Sequence, residues 1–405
     1  MTAENRTLLV VFFTILMDLI GFGIIIPISP FFAESLGAQP WLITLLGAVY
    51  SLMQFLCAPF WGRQSDKVGR RPVILISIAI AAIGYILFGF AQSVWMLFAA
   101  RVVSGFGTAN FGAAHAIIAD TTPPERRARG MGILGAAFGL GFTLGPAFGG
   151  FLGAWGMRVP IFTAAALTVL NWWMAYFLLP ETRVPGKSEP APSRSALKEI
   201  AELGQDTNLR RLLVVFLVYS TAFSMMEQVL GLFIESVWVG VAPAHPGASA
   251  GRASVLTAWA LMVVGVTAII VQGGLIGRLV AKFGEKKLVI VGCALVGIAL
   301  ILVPVVGWTS SFPLFLGVMV LLAAGSGVCN PSAHSLLSRA AHDSRQGHTM
   351  GVGQSLGALG RVIGPALAGA FFQVTTGLPF FLAGGLILLC CGLIARFKPV
   401  DFRTA

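Results

Sequence analysis

The sequence predicts an all-α polytopic membrane protein, with twelve transmembrane helices arranged as two pseudo-symmetric six-helix bundles. Three observations carry that prediction. Of the 405 residues, 57% are hydrophobic and 11% charged, and mean hydropathy is +0.87, whereas a soluble domain is about half apolar and a quarter charged. Apolar runs of the ~20 residues needed to cross a ~30 Å hydrocarbon core recur along the whole chain. The second half repeats the first: GRQSDKVGRR at 62–71 returns as GRLVAKFGEK at 277–286, GFGTAN at 105–110 as GSGVCN at 325–330, and GFTLGPAFGG at 141–150 as GRVIGPALAG at 360–369. The offsets are 215, 220 and 219, so the copies are in register. An even number of spans per copy gives both the same orientation, as in parallel repeats about an axis along the membrane normal.

Hydropathy and helix breakers place the spans near 8–32, 41–61, 72–91, 94–118, 130–152, 159–179, 211–238, 253–277, 287–306, 312–337, 348–373 and 378–396. The first begins behind a single Arg6, exceeds a signal-peptide core in length and ends without a small-residue cleavage pattern, so it reads as a span. Both termini then share one side. Of the 27 basic residues, Arg101 and Arg361 fall inside spans and Arg158 and Arg252 at the opposite face; the remaining 23 lie with the termini. The positive-inside rule makes that side the cytoplasm of a multi-pass cell-membrane (inner or plasma membrane) protein. The net charge of +11 is spread over short loops, so its expected partner is anionic lipid and not nucleic acid.

The organisation expected is a first bundle at 1–180, a cytoplasmic linker at 181–210 and a second bundle at 211–405. The linker carries the amphipathic stretch SALKEIAEL and Gly186-Lys187-Ser188, the tail of a phosphate-binding loop. Glu181 stands where that loop's first glycine belongs and no strand precedes it, so nucleotide binding is not expected. The five cysteines, Cys57, Cys293, Cys329, Cys390 and Cys391, fall within spans without metal-ligand spacing. They read as apolar packers, and neither a metal nor another cofactor is expected.

Four ionisable residues lie well inside the spans: Asp18, Arg101, Glu227 and Arg361. Each costs at least ~2.5–3.5 kcal/mol at mid-bilayer, so each is expected to face the bundle interior or water with a partner. Two acids and two bases invite pairing. A carboxyl in a low-dielectric cavity holds its proton more tightly, and a neighbouring guanidinium loosens it, so occupancy can follow conformation as proton coupling requires. The competing reading is a set of static pairs that hold helices in register, and Arg361, between Gly360 and Gly364, suits a bridge to backbone carbonyls or to Glu227. Gln54, Asn110, His115, Gln228, Asn330 and Gln354 are candidates to line a wet cavity, and each serves equally as glue between helices.

Gly62-Arg-Gln-Ser-Asp66-Lys-Val-Gly69-Arg70-Arg71 resembles the signature loop of the major facilitator superfamily. That resemblance implies a charge network through Asp66 and Arg70 that latches the two halves at the cytoplasmic face, with Asp120 as the matching acid. By chemistry alone the glycines allow a tight turn, and Asp66 is placed to cap the following helix. LFAARVVSGFG resembles the family's proton-transfer motif, with its arginine at Arg101. GFTLGPAFGG resembles the antiporter motif, through Gly141, Gly145, Pro146, Gly149 and Gly150. A mid-span Gly-Pro kinks a helix while small residues let another pack close. Asp18-x-x-Gly21-x-Gly23-x-x-x-Pro27-x-x-Pro30 is similar to the first-span motif of twelve-span drug:proton antiporters, the tetracycline-efflux-like group in particular. The second copies depart from these patterns: Ala281 replaces the loop acid, Glu285 its first basic residue, and Leu321 the arginine.

The resemblance implies a secondary transporter that exports small hydrophobic or amphipathic compounds against inward proton flow, as in drug efflux and antibiotic resistance. Asp18 would carry the proton and Arg101 would tune it, with Glu227 and Arg361 either coupling protons or meeting substrate. A functional monomer is expected, with protons as the coupling ion. Within the same fold, export of a metabolite, lipid or siderophore, uniport and symport remain open. An intramembrane enzyme would need a metal cluster or a nucleophile with its base, and no HExxH pattern occurs. A non-transporting receptor is the remaining alternative.

Overall fold

The computed structural model describes residues 3–122, 137, 140–141, 144–153, 155–182, 205–240, 246–340 and 346–397. Among them every regular element is helical, as a chain without water in the bilayer core requires of its backbone. Among the described residues, ten helices are long and apolar enough to cross a membrane. The Pro-rich linker, SALKEIAEL and Gly186-Lys187-Ser188 lie outside the described residues, as does much of the fifth span.

Two units emerge from Cα packing: Met1–Ser193 with Val239–Met262, and Arg194–Trp238 with Val263–Ala405. In the first, α1 (Ala3–Ile25) packs on α8 (Arg158–Leu178), and α4 (Arg70–Gly89) packs on both α8 and α5 (Val94–Gly107). In the second, α9 (Thr207–Ile234) packs on α14 (Gln346–Phe372), while α12 (Glu285–Thr309) packs on α13 (Phe312–Ala340) and α15 (Leu378–Ala395). Third span on fourth and third on sixth recur in both units, and so does first on sixth, since α9 also packs on α15, as the internal repeat predicts.

Three spans depart from the expectation of unbroken helices. The first stops at Ile25 and restarts as α2 (Ser29–Ser35), because Pro27 cannot donate to the ladder and clashes with the preceding turn, while Pro30 suits the first turn of a new helix. The fourth breaks at 108–110 between α5 and α6 (Phe111–Thr121). There the Thr108 hydroxyl bonds back to Ser104 O at 2.9 Å, a competition with the helical ladder that polar side chains favour. The eighth is interrupted by a π-helical turn at Val271–Leu275, between α10 (Pro246–Ile270) and α11 (Ile276–Phe283). A second π-helical turn, Glu235–Val239, extends α9. π turns appear mostly as single insertions within α-helices, frequently at functional sites.

Candidate functional site

Asp18 lies in the middle of α1 and is 5% exposed. Its partner is not a cation. Asn171 of α8, fully buried, donates through Nδ2 to Asp18 Oδ1 and to Thr14 O, 2.9 Å each. Thr14 and Asp18 are one helical turn apart, so both amide hydrogens are committed to the same face of α1. Asn171 Oδ1 is buried without a hydrogen-bond partner and remains available to accept a proton-bearing neighbour. Asn110, at the break between α5 and α6, also acts on the Asp18 carboxylate, while its Nδ2 donates to Ser77 Oγ at 2.7 Å.

Arg101 does not form the ion pair with Asp18 that the sequence suggested. Its guanidinium stacks 4.7 Å from the centroid of Phe88 and 5.5 Å from that of Tyr50, and its buried Nε has no hydrogen-bond partner. A guanidinium is planar and weakly hydrated, so aromatic faces can hold it where water is excluded, an arrangement worth about 2 kcal/mol when desolvated. Tyr50 and Tyr85 interact with both charges: both rings are fully buried, and both act electrostatically on Asp18 and on Arg101. Tyr50 stacks on Phe22, one turn beyond Asp18, at 4.6 Å. Its hydroxyl is bonded to Thr108 Oγ1 at 2.8 Å and accepts from Gln54 Nε2 at 3.2 Å. Gln54 and Asn110 therefore act as links within the first bundle. Sequence reasoning missed Asn171, Tyr50 and Tyr85; an Asn inside an apolar span was the available signal for the first, and nothing distinguishes the tyrosines from ordinary core aromatics. His115 lies in α6 and Gln354 in α14, with side chains outside the described residues.

At the signature loop of the first unit, Gly69 adopts φ +117° between α3 (Pro40–Val68) and α4, a backbone open to glycine and strained for other residues. Arg70 bonds Asp66 Oδ1 at 2.5 Å, Ser65 Oγ at 2.8 Å and Asp120 Oδ2 at 3.1 Å. The cap is a correction to the sequence reading. Asp66 is spent on Arg70, and Glu181 caps α4 instead, accepting from Arg70 N at 3.0 Å and Arg71 N at 3.2 Å. A carboxylate on free N–H groups at a helix start is the favoured placement. Arg71 in turn donates to Tyr176 O at 2.6 Å.

The Gly-Pro motif, ending in α7 (residues 144–153), forms a seam against α1. A Cβ on Gly145 would stand 2.7 Å from Gly23 Cα and 2.9 Å from Ile20 O, and one on Gly23 would stand 2.8 Å from Pro146 Cδ. Gly141 abuts Leu19, Gly149 abuts Ile24, and Gly150 abuts Ala258. The motif thus brings the fifth span's backbone onto the helix that carries Asp18, the close approach small residues permit.

In the second unit, Glu227 and Gln228 are partly exposed on α9, and Arg361 of α14 acts on the Glu227 carboxylate electrostatically. Asn330 is exposed, and its carbonyl is hydrogen-bonded to His334 Nδ1 at 2.9 Å. Glu235, 3% exposed, is a further buried acid that the sequence reading passed over because it sits near the end of its span. The residue replacing the loop's basic group has its own partner: Glu285 Oε1 accepts from Arg339 Nη2 at 2.9 Å and from Ser335 Oγ at 3.2 Å.

Comparison with known proteins agrees with this architecture. The chain is 32% identical over 402 residues to the tetracycline resistance protein, class C, of Escherichia coli, covering 97% of each. It is 27% identical to multidrug resistance protein 2 of Bacillus subtilis, covering 98% of this chain and 96% of that one. The crystal structure of the human organic anion transporter MFSD10 (TETRAN) superimposes with a TM-score of 0.73 at 26% identity, over 97% of this chain and 100% of that chain. The family model of the Major Facilitator Superfamily matches residues 11–271 and 236–404. Two repeated helical units, a glycine-turned charge network and a family match along nearly the whole length lead to one assignment: the chain is a multi-pass membrane protein belonging to the Major Facilitator Superfamily.

Proposed function

We propose that the chain is a proton-coupled antiporter that exports small hydrophobic or amphipathic compounds by alternating access of its two halves. The observation that carries this reading is the environment of Asp18: a buried carboxyl held by an amide, with no ion pair to it among the described residues. A carboxylate locked to a guanidinium would stay charged; one held by an amide can accept and release a proton without leaving an orphaned cation. Asn171 serves both states, since Nδ2 donates to the carboxylate and the unpartnered Oδ1 can accept from the protonated acid. Arg101, poised on the rings of Phe88 and Tyr50, supplies positive potential without trapping the charge.

The resistance proteins among the relatives support a drug-like substrate, and the motif residues Gly141, Gly145, Pro146, Gly149 and Gly150 support a tight seam beside the proton site. Asp66, Arg70, Arg71, Asp120 and Gly62 belong to the cytoplasmic gate in this reading, with both termini on that side, a functional monomer, and protons in place of any cofactor. In proteoliposomes of the purified chain, an imposed proton gradient drives uptake of amphipathic substrate into inside-acidic vesicles. Asp18→Asn abolishes that gradient-driven flux while substrate binding persists; unchanged flux in the variant overturns the assignment.

A further inference from the structure

Four of the five cysteines belong to the second unit, and two of them touch. Cys293 of α12 and Cys329 of α13 are 0% and 1% exposed, and their Sγ atoms are 3.4 Å apart, with both thiols free. The contact follows from glycines at the helix crossing. A Cβ on Gly292 would stand 2.7 Å from Cys329 Cβ and 2.8 Å from Gly325 O, and one on Gly325 would stand 2.9 Å from Gly292 O. Small residues at these two positions let the backbones approach, and the sulfurs meet beside them. The remaining cysteines are placed differently. Cys390 and Cys391 are consecutive on α15, about 100° apart around the axis, and Cys391 Sγ is turned to Ile290 O at 3.5 Å; Cys57 lies in the first unit.

The pair stands at the weak point of α13. In the internal repeat, GSGVCN at 325–330 matches GFGTAN at 105–110, so Cys329 corresponds to Ala109, inside the break between α5 and α6. The α13 helix runs on without that break but carries Pro331 two residues later, which cannot donate to Gly327 O and is a usual cause of kinks. A link from Cys329 to α12 therefore spans the place where α13 bends most easily.

We propose that Cys293 and Cys329 are a modification site, a dithiol that hydrogen peroxide closes to a disulfide, and that the closed form pins α13 to α12 and arrests transport. A disulfide holds its sulfurs at about 2.05 Å, so the pair closes by about 1.4 Å. The chemistry balances in two steps. Peroxide first transfers one oxygen to a thiol sulfur: the O–O bond breaks, an S–O bond forms, and the thiol proton leaves in a water. The second sulfur then displaces the hydroxyl: the S–S bond forms, the S–O bond breaks, and the hydroxyl leaves with the second thiol proton as another water. Two thiols lose two electrons and the peroxide gains them. Burial makes the first step slow, whereas the second has its partner already in contact. The dry crossing also selects the reagent, since a small uncharged peroxide avoids the desolvation that a charged oxidant would meet there. The arrest rests on the antiport reading; the disulfide does not.

The test uses the full chain in lipid nanodiscs, treated for hours with hydrogen peroxide and then with dithiothreitol. Peptide mass spectrometry should find Cys293 joined to Cys329, two hydrogens lighter than the reduced pair, and should find the link gone after reduction. In proteoliposomes, gradient-driven flux should fall at least tenfold as the link forms and return on reduction, whereas Cys293→Ala and Cys329→Ala should keep their flux in peroxide. Absence of the link after prolonged peroxide, a complete link with flux unchanged, or equal loss of flux in the unaltered chain and both variants each overturns the proposal, and the first two outcomes need no variant to fold. An untreated chain without gradient-driven flux removes the antiport reading alone. The site is then judged on the link and on amide hydrogen exchange at residues 327–330, which should slow at least tenfold once the link closes; exchange that does not slow overturns the pinning.

Discussion

The signature loop and its second copy share a backbone and differ in polarity. Gly69 and Gly284 both take positive φ, +117° and +75°, each at the junction of one helix with the next. In the first, a cation at the following position, Arg70, is gripped by Asp66 and Asp120. In the second, the equivalent position is an anion, Glu285, paired with Arg339, which stands 219 residues after Asp120. The bridge between loop and helix end survives in both halves with its charges exchanged. Read on its sequence alone, the second loop has lost its network; in space it has inverted it. Degree of burial separates them as well, since the Arg339 side chain is 71% exposed and the Arg70 side chain 10% exposed, and a pair with one end in water contributes little.

The comparison breaks most sharply at the seams, where the halves should behave alike. Gly145 meets Gly23 and Ile20, and its counterpart Gly364 meets Thr221 O and Ser224 Cβ, where an added Cβ would stand 2.5 and 2.9 Å away. Gly145→Leu and Gly364→Leu should each abolish transport and destabilise by at least about 1–3 kcal/mol through overpacking, read as loss of melting temperature and flux. A tolerated substitution on one side alone would show that the repeat is not energetically symmetric there.

Next in size is the contrast between the two acids. Asn171→Leu strips Asp18 and Thr14 O of their shared donor, at a cost of about 1.5–3 kcal/mol for a hydrogen bond to a charged group, and should shift the pH profile of transport. Asn171→Gln, which keeps the amide, should restore part of it. Ser220→Ala, on the helix that carries Glu227, should leave that profile in place.

The loops come third. Arg70→Ala should cost about 1–3 kcal/mol, since it orphans carboxylates on two helices, whereas Glu285→Ala should cost about 0–1 kcal/mol. Smallest and most specific is the paired exchange Glu285→Arg with Arg339→Glu, which restores the first half's polarity. It should recover the transport lost in either single reversal, and a double variant no better than the singles would deny that the pair acts as a bridge.

Why some of this was legible and some not follows from particular residues. Span positions follow from transfer free energy, a local property, and Asp18 declared itself because a carboxyl in an apolar run carries its cost wherever the chain folds. The breaks at Pro27 and at Thr108 arose from competition between helix hydrogen bonds and local chemistry, which hydropathy averages over. The mutual pairing expected of Asp18 and Arg101 rested on charge alone. It could not anticipate that Asn171, 153 residues away, would reach the carboxylate first, nor that Phe88 and Tyr50 would take the guanidinium. Glu181 illustrates the same limit, since its only sequence signal was a negative one, the absence of a glycine for a phosphate loop.

By itself the sequence determined that this chain spans a membrane, that it is built of two copies of one helical unit, and that a few charges inside the spans must serve some purpose. These follow from composition, periodicity and the cost of burying charge, none of which needs a partner to be known. Only the tertiary structure decided who meets whom: the amide at Asp18, the aromatic rest for Arg101, the cap at Gly69 and the inverted bridge at Glu285. Hydrogen bonds and ion pairs act over a few ångströms between residues tens to hundreds of positions apart, and a linear pattern holds no record of that distance until the helices have packed.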